Sequence, residues 1–229
     1  MSPRARKRLW RLALIAACLV AAWRLAALRE RPIEPLARHG ALLADRSVPA
    51  ERARVARVID GDTVRLGDGR TVRYVGIDSP ERGQPLHRFA TRLNRQLTLG
   101  KSVGLLYDQV RRDRHGRLLC YVIDERTGVV INGEMIRYGA AHVYTIPPNT
   151  LYHRRFTSLQ RAARRARRGL WAHLTEGDES FYIASRRGYR FHRPSCKAVD
   201  SISAADRVEL SSRAEAFDRG LSPCRKCRP

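Results

Sequence analysis

A chain of 229 residues has room for one domain with a full core plus a small appendage, and excludes a larger string of domains. Its 45 basic against 22 acidic residues leave a net charge of +23 and a pI near 11.2, which argues against polycationic partners. The excess points to polyanions, either nucleic acid or an anionic membrane surface; since nearly all of it is arginine, a genome-wide codon bias is the competing source.

In chain order, residues 1–28 combine a basic start with an apolar run, and the stretch 9–28 reaches bilayer length if Arg11 and Arg24 snorkel at its ends. Arg4, Arg6, Lys7, Arg8 and Arg11 place that side in the cytoplasm. The expectation is a single-pass signal-anchor, or an export segment, in a bacterial-type cell membrane, with the remainder extracytoplasmic. A buried soluble helix is the alternative, but no neighbouring segment patterns with it as a core. Residues 29–52 carry Pro32, Pro35 and Pro49 among scattered charges and read as a tether.

Residues 53–173 read as the main domain. "VIDGDTVRLGDGRTVRYVGIDSPE" is expected to form a hairpin, with strands at 63–66 and 71–77 around an Asp68-Gly69 turn, after a strand at 54–60. "LHRFATRLNRQLTLG" spaces Leu86, Phe89, Leu93 and Leu97 as one helical face. "KSVGLLYD" and "RLLCYVID" are strands flanking a loop "QVRRDRHG", and "VINGEMIRYG" is a short helix closed by Gly139. A last helix carries Tyr152, Phe156, Leu159, Ala163 and Leu170 in one stripe, its arginines on the rest. The fold class is α+β, a five-stranded barrel with about three helices.

Strand alternation places Asp62 on the face of Val64 and Leu66, and Arg73 on the face of Val75 and Ile77. Charges on apolar faces need partners or a ligand. Asp78 and Glu81 follow at once, and Arg117 heads a further strand, so three carboxylates and two arginines could meet at one barrel edge. Patterning alone leaves open whether they form a structural ion-pair network or a site.

"VIDGDTVRL", "VRYVGIDSPE", "DRHGRLLCYV" and "VINGEMIRYGAAHV", in that order, resemble the staphylococcal nuclease domain. The resemblance implies an OB-fold barrel and calcium-dependent hydrolysis of phosphodiester bonds in DNA and RNA. It implies Ca²⁺ on the carboxylates of Asp62 and Asp78 and the backbone carbonyl of Ser79. Glu81 becomes the general base, with Arg73 and Arg117 as phosphate clamps. Some features depart from the family. The loop after Glu81 is short, His115 stands where an aromatic contacts the nucleotide, and Tyr144 is left as the obvious stacking residue. Retention of all the acids favours an enzyme over the alternative, a non-catalytic DNA-binding envelope protein.

Residues 180–229 read as a second unit with His192, Cys196, Cys224 and Cys227. One imidazole and three thiolates, ending in a Cys-x2-Cys knuckle, suit a structural tetrahedral Zn²⁺ that staples a segment too short to bury much core. A disulfide between Cys196 and one of the last two cysteines is the alternative. The stretch resembles the small metal-binding module of Ada-type repair proteins, with His192 in place of the first of four cysteines. Cys120 alternates into a strand and is expected in the core.

Overall fold

The structure is a computed structural model that describes residues 49–172, 177 and 179–229. The membrane expectation for residues 1–28 lies outside the described residues, as does most of the tether. Among the described residues no helix is long and apolar enough to cross a membrane.

The main domain runs β1 (Glu51–Val58), β2 (Thr63–Leu66), β3 (Thr71–Tyr74), β4 (Gly76–Asp78), α1 (His87–Thr98), β5 (Ser102–Arg112), β6 (Leu118–Asp124), α2 (Ile131–Arg137), β7 (His142–Tyr144) and α3 (His153–Arg165). Strands β1, β2, β3, β6 and β5 close a five-stranded barrel, and β4 pairs with β7 beside it. Val55, Val64, Leu66, Val72, Tyr74, Val103, Leu105 and Val122 fill the barrel, each at most 1% exposed. Their alternation along the strands is the pattern that a half-buried sheet requires. Cys120 is wholly buried, as its position in the strand implied.

The hairpin forms at the expected turn, with Gly69 at φ 89° and Val64 opposite Val72. Its second strand does not run unbroken to Ile77. Val75 leaves the ladder and Gly76 takes φ 78°, a conformation that costs glycine little. Asn132, fully buried on α2, donates to the Val75 carbonyl at 2.9 Å and accepts from the Val122 amide at 2.9 Å, so the break leaves no orphaned group there. Within β3 the alternation decides which face Arg73 takes. Val72 and Tyr74 take the core face of β3, and Arg73 lies on the other face, away from the barrel interior.

The expected loop after residue 108 is likewise partly strand, because β5 continues to Arg112. Asn149 makes this possible by imitating a peptide group towards Val110, accepting from its amide and donating to its carbonyl, each at 2.8 Å. On α3 the buried face is Phe156, Thr157, Gln160 and Ala163, and Leu159 is only partly covered.

The tail holds β8 (Tyr182–Ser185), β9 (Arg190–His192), β10 (Arg207–Leu210), α4 (Arg213–Asp218) and β11 (Ser222–Pro223), with sheet order β10-β8-β9-β11. Tyr182, Phe191, Leu210 and Phe217 form a core with Ala163 of α3 and Trp171 just after it. The tail thus gains more core than its length promises, by borrowing from the main domain. Gln160 makes the joint specific, accepting from the Val143 amide at 2.7 Å and donating to the Phe217 carbonyl at 2.6 Å. Ser222 adds a hydrogen bond to the Val143 carbonyl at 3.0 Å.

Candidate active site and metal cluster

The break at Gly76 builds the site. It turns the chain so that Asp78, at the end of β4, returns to Arg73 on β3. Arg73 donates to Asp78 Oδ1 at 2.8 Å and pairs with Asp62 Oδ1 at 3.1 Å. The same guanidinium caps the Tyr74 and Ile77 carbonyls at 2.6 and 2.9 Å. It is therefore both a charge partner and a brace across the kink.

Asp62, just before β2, is 4% exposed. Its Oδ2 accepts from the Ser79 amide at 2.7 Å and its Oδ1 from the Thr63 hydroxyl at 3.1 Å. Burial pushes its pKa up to about 6, and Asp60 and Asp78 push the same way, while Arg73 and the Ser79 amide hold it down. A buried carboxylate this hard to ionise, next to an arginine, lacks positive charge. A hard divalent cation would supply it, and oxygen donors are the donors such ions take. Asp62 and Asp78 fit that role. Ser79 follows Asp78 directly and is 7% exposed, and the contact it shows with Asp62 is through its amide.

Glu81 is exposed at the rim, where its amide donates to Gln84 Oε1 at 2.8 Å. Arg117 does not join the acids directly. Its Nε donates to Asp113 Oδ2 at 2.7 Å, and it lines a cavity of about 430 Å³ together with Arg73 and His115. Burial raises the Asp113 pKa, but the hydrogen bonds from Arg117 and from the His115 and Arg117 amides outweigh it, leaving the carboxyl below its usual value. His115 itself is exposed on that turn.

Tyr144 is the residue expected to stack on a base. It is 7% exposed, and the guanidinium carbons of Arg190 and Arg225 each lie 4.7 Å from its ring centroid. Arg190 also donates to its hydroxyl. Two arginines from the tail cover the ring where a base would stack.

The sequence reading missed two further groups. Arg225, between the last two cysteines, places one nitrogen 3.1 Å from each Asp78 oxygen. His142 on β7 lines a cleft of about 710 Å³ with Asp78, Glu81 and Arg225. Its Nε2 is buried and unpartnered among the described residues, and burial lowers its pKa. The Arg225 contact spans 147 residues and has no local signal. His142 stands in the "GAAHV" motif, the one signal that could have drawn attention to it.

In the tail, one ligand atom each from His192, Cys196, Cys224 and Cys227 lies within 4.8 Å of the others. The described cysteines are free thiols. His192 Nδ1 is buried without a partner, and the Arg193 amide donates to Cys227 Sγ at 3.4 Å. Burial raises the Cys224 pKa, but hydrogen bonds from the Cys227 and Lys226 amides outweigh it and hold the thiol below its usual value. An orphaned imidazole nitrogen and the convergence of one imidazole with three thiols fit a tetrahedral zinc site.

The model of the staphylococcal nuclease homologues matches residues 71–173. A protein described as an uncharacterized endonuclease from Escherichia coli O157:H7 is 42% identical over 126 residues, covering 52% of this chain and 76% of the relative. Endonuclease YncB of Bacillus subtilis strain 168 is 32% identical over 141 residues, covering 57% of this chain and 63% of its own. The SPbeta prophage-derived endonuclease YokF of the same strain is 33% identical over 127 residues, covering 51% of this chain and 42% of its own.

Proposed function

The chain belongs to the staphylococcal nuclease family, and we propose that the nuclease activity it carries is calcium-dependent hydrolysis of phosphodiester bonds in DNA, and in RNA as well. The carrying observation is the under-neutralised pair of Asp62 and Asp78 held on Arg73 at one barrel edge. Asp62, Asp78 and the Ser79 carbonyl would hold the ion, whose bound chemistry is to polarise the phosphoryl oxygens and acidify water.

The protein's own residues do the rest. Glu81, exposed at the cleft rim, takes the proton from attacking water. Arg73 and Arg117, both lining the 430 Å³ cavity, take the equatorial oxygens, where negative charge grows as the diester is attacked. Arg73 arrives pre-aimed, since two carbonyls and two carboxylates already fix its plane. Arg117 is aimed through Asp113. The net charge of +23 gathers the polyanionic strand.

His192, Cys196, Cys224 and Cys227 hold a structural Zn²⁺ in this reading, and residues 1–28 anchor the chain with its nuclease domain outside the cytoplasm. Cleavage of plasmid and single-stranded DNA and of RNA by the purified chain, with Ca²⁺ and with chelator, tests the activity. Binding without cleavage under both conditions would leave the non-catalytic DNA-binding reading. Protease digestion of intact spheroplasts tests the topology, and full protection would place the domain inside.

A further inference from the structure

Two clefts flank the acid cluster. The larger is walled by Asp78, Glu81, His142 and the tail, the smaller by Arg73, Arg117 and His115. Arg225 is the one described residue that borders both. It stands where a strand passing from one cleft to the other must cross.

Its position is built. The backbone that carries it is tied down on either side, with the Cys224 amide on the Phe191 carbonyl at 3.0 Å and the Arg228 amide on the Cys224 carbonyl at 2.9 Å. Cys224 and Cys227 belong to the Cys/His cluster on either side of it. The side chain then lies against Tyr144 and on Asp78, although 59% of it is exposed. An arginine this exposed normally stays mobile and solvated, because ordering it costs side-chain entropy. Arg73 also sits on Asp78 Oδ1, at 2.8 Å, but is shared with Asp62. Asp78 engages only one nitrogen of Arg225, leaving other donors of the fork for a ligand.

We propose that Arg225 is a third phosphate-binding arginine of the nuclease centre, lent by the tail and contacting a backbone phosphate of the strand that crosses between the clefts. The contact is to the sugar–phosphate chain and is independent of base identity, as a guanidinium on a phosphate is. The tail is then one wall of the active site, and its Cys/His cluster is what aims the residue.

This rests on the nuclease reading of the acid cluster, and the test separates the two. Binding of a single-stranded oligonucleotide is measured on the zinc-loaded protein with no added Ca²⁺, across a range of salt concentrations, for wild type, Arg225→Ala and Arg225→Lys. Loss of one phosphate contact reduces the steepness of log K against log salt by about 0.7 for single strands. Arg225→Ala should show that reduction and Arg225→Lys should keep the wild-type slope. In Ca²⁺, Arg225→Ala should raise KM several-fold with little change in kcat, the pattern of lost uniform binding. An unchanged slope in Arg225→Ala would overturn the proposal and leave a structural ion pair to Asp78. Faster cleavage by Arg225→Ala would also overturn it, making the arginine a latch on the acid. A wild type that does not cleave would sink the nuclease reading, while the slope comparison still decides this one.

Discussion

Arg73→Ala should affect folding as well as catalysis, and the structure gives the size of both effects. The guanidinium serves four acceptors at once, Tyr74 O at 2.6 Å, Asp78 Oδ1 at 2.8 Å, Ile77 O at 2.9 Å and Asp62 Oδ1 at 3.1 Å, with 13% of its side chain exposed. Removing one partner of a buried pair costs about 3–5 kcal/mol, because the other charge is left uncompensated. The lower end applies here. Asp62 can protonate instead of staying charged, and Asp78 keeps Arg225. For a chain of this size roughly 3 kcal/mol lowers the Tm by about 6–12 °C. Thermal unfolding with no added Ca²⁺, followed by circular dichroism, measures this without any contribution from bound calcium. Cleavage rates are then taken in Ca²⁺ at a temperature where the variant is fully folded. Loss of a preorganised charge-stabilising donor should lower kcat by about 10²–10³ beyond the stability effect. A Tm within 2 °C of wild type would refute the brace, and a rate within tenfold, measured on folded protein, would refute the phosphate contact.

Glu81→Gln should lower turnover by at least about 10² while oligonucleotide binding stays within twofold, and near-native turnover would remove Glu81 as the base. Asp62 sets a pH signature. Its folded pKa of about 6 lies above the ordinary aspartate value of 3.8, so its stabilising contribution is fully present below 3.8 and lost as pH rises through about 6. The stability of wild type relative to Asp62→Asn, measured by urea unfolding with no added Ca²⁺, should therefore fall by about 2–3 kcal/mol between pH 3.5 and 7.5. A flat difference would mean that Asp62 ionises freely. Gly76→Ala should destabilise by about 1–2 kcal/mol from its positive φ alone, with more from a new methyl 3.0 Å from the Phe156 ring, and should weaken cleavage by moving Asp78. Stability equal to wild type would show that the kink does not need glycine. Elemental analysis should find one zinc per chain, and its removal should loosen β8 to β11 and alter Trp171 fluorescence, since Trp171 shares the tail's core. No zinc, with fewer than three free thiols among Cys196, Cys224 and Cys227, would establish a disulfide instead.

The local chemistry of the chain was enough to place much of the fold. Asp68-Gly69 forces a turn wherever it is put, because glycine reaches φ 89° without strain and the Asp68 carboxylate holds the Arg70 amide at 3.0 Å. Of the helical face expected from Leu86, Phe89, Leu93 and Leu97, the last two are buried on α1, while Leu86 and Phe89 are only partly covered and Ala90 takes their place. The acids and arginines were legible as a set because they lie in ordered motifs, and the four soft donors because their spacing is that of a metal knuckle. The faces and partners of those charges were not legible. Period-two reasoning assumes an unbroken ladder, and because the chain leaves the ladder at Val75 the alternation cannot be carried from Arg73 on β3 to Ile77 on β4. Arg117 is paired within its own turn with Asp113, four residues away, though its sequence position suggested convergence on the acids. Tyr144 was expected to be open to a base, and Arg190 and Arg225, 46 and 81 positions further on, cover it. Arg225 reaches Asp78 across 147 residues, a contact that exists only because Gln160, Ser222 and the shared core around Trp171 seat the tail against β7 and α3. Residue type and spacing determined which groups this protein has for its chemistry; long-range packing, which leaves no periodic trace in the chain, decided which of them meet.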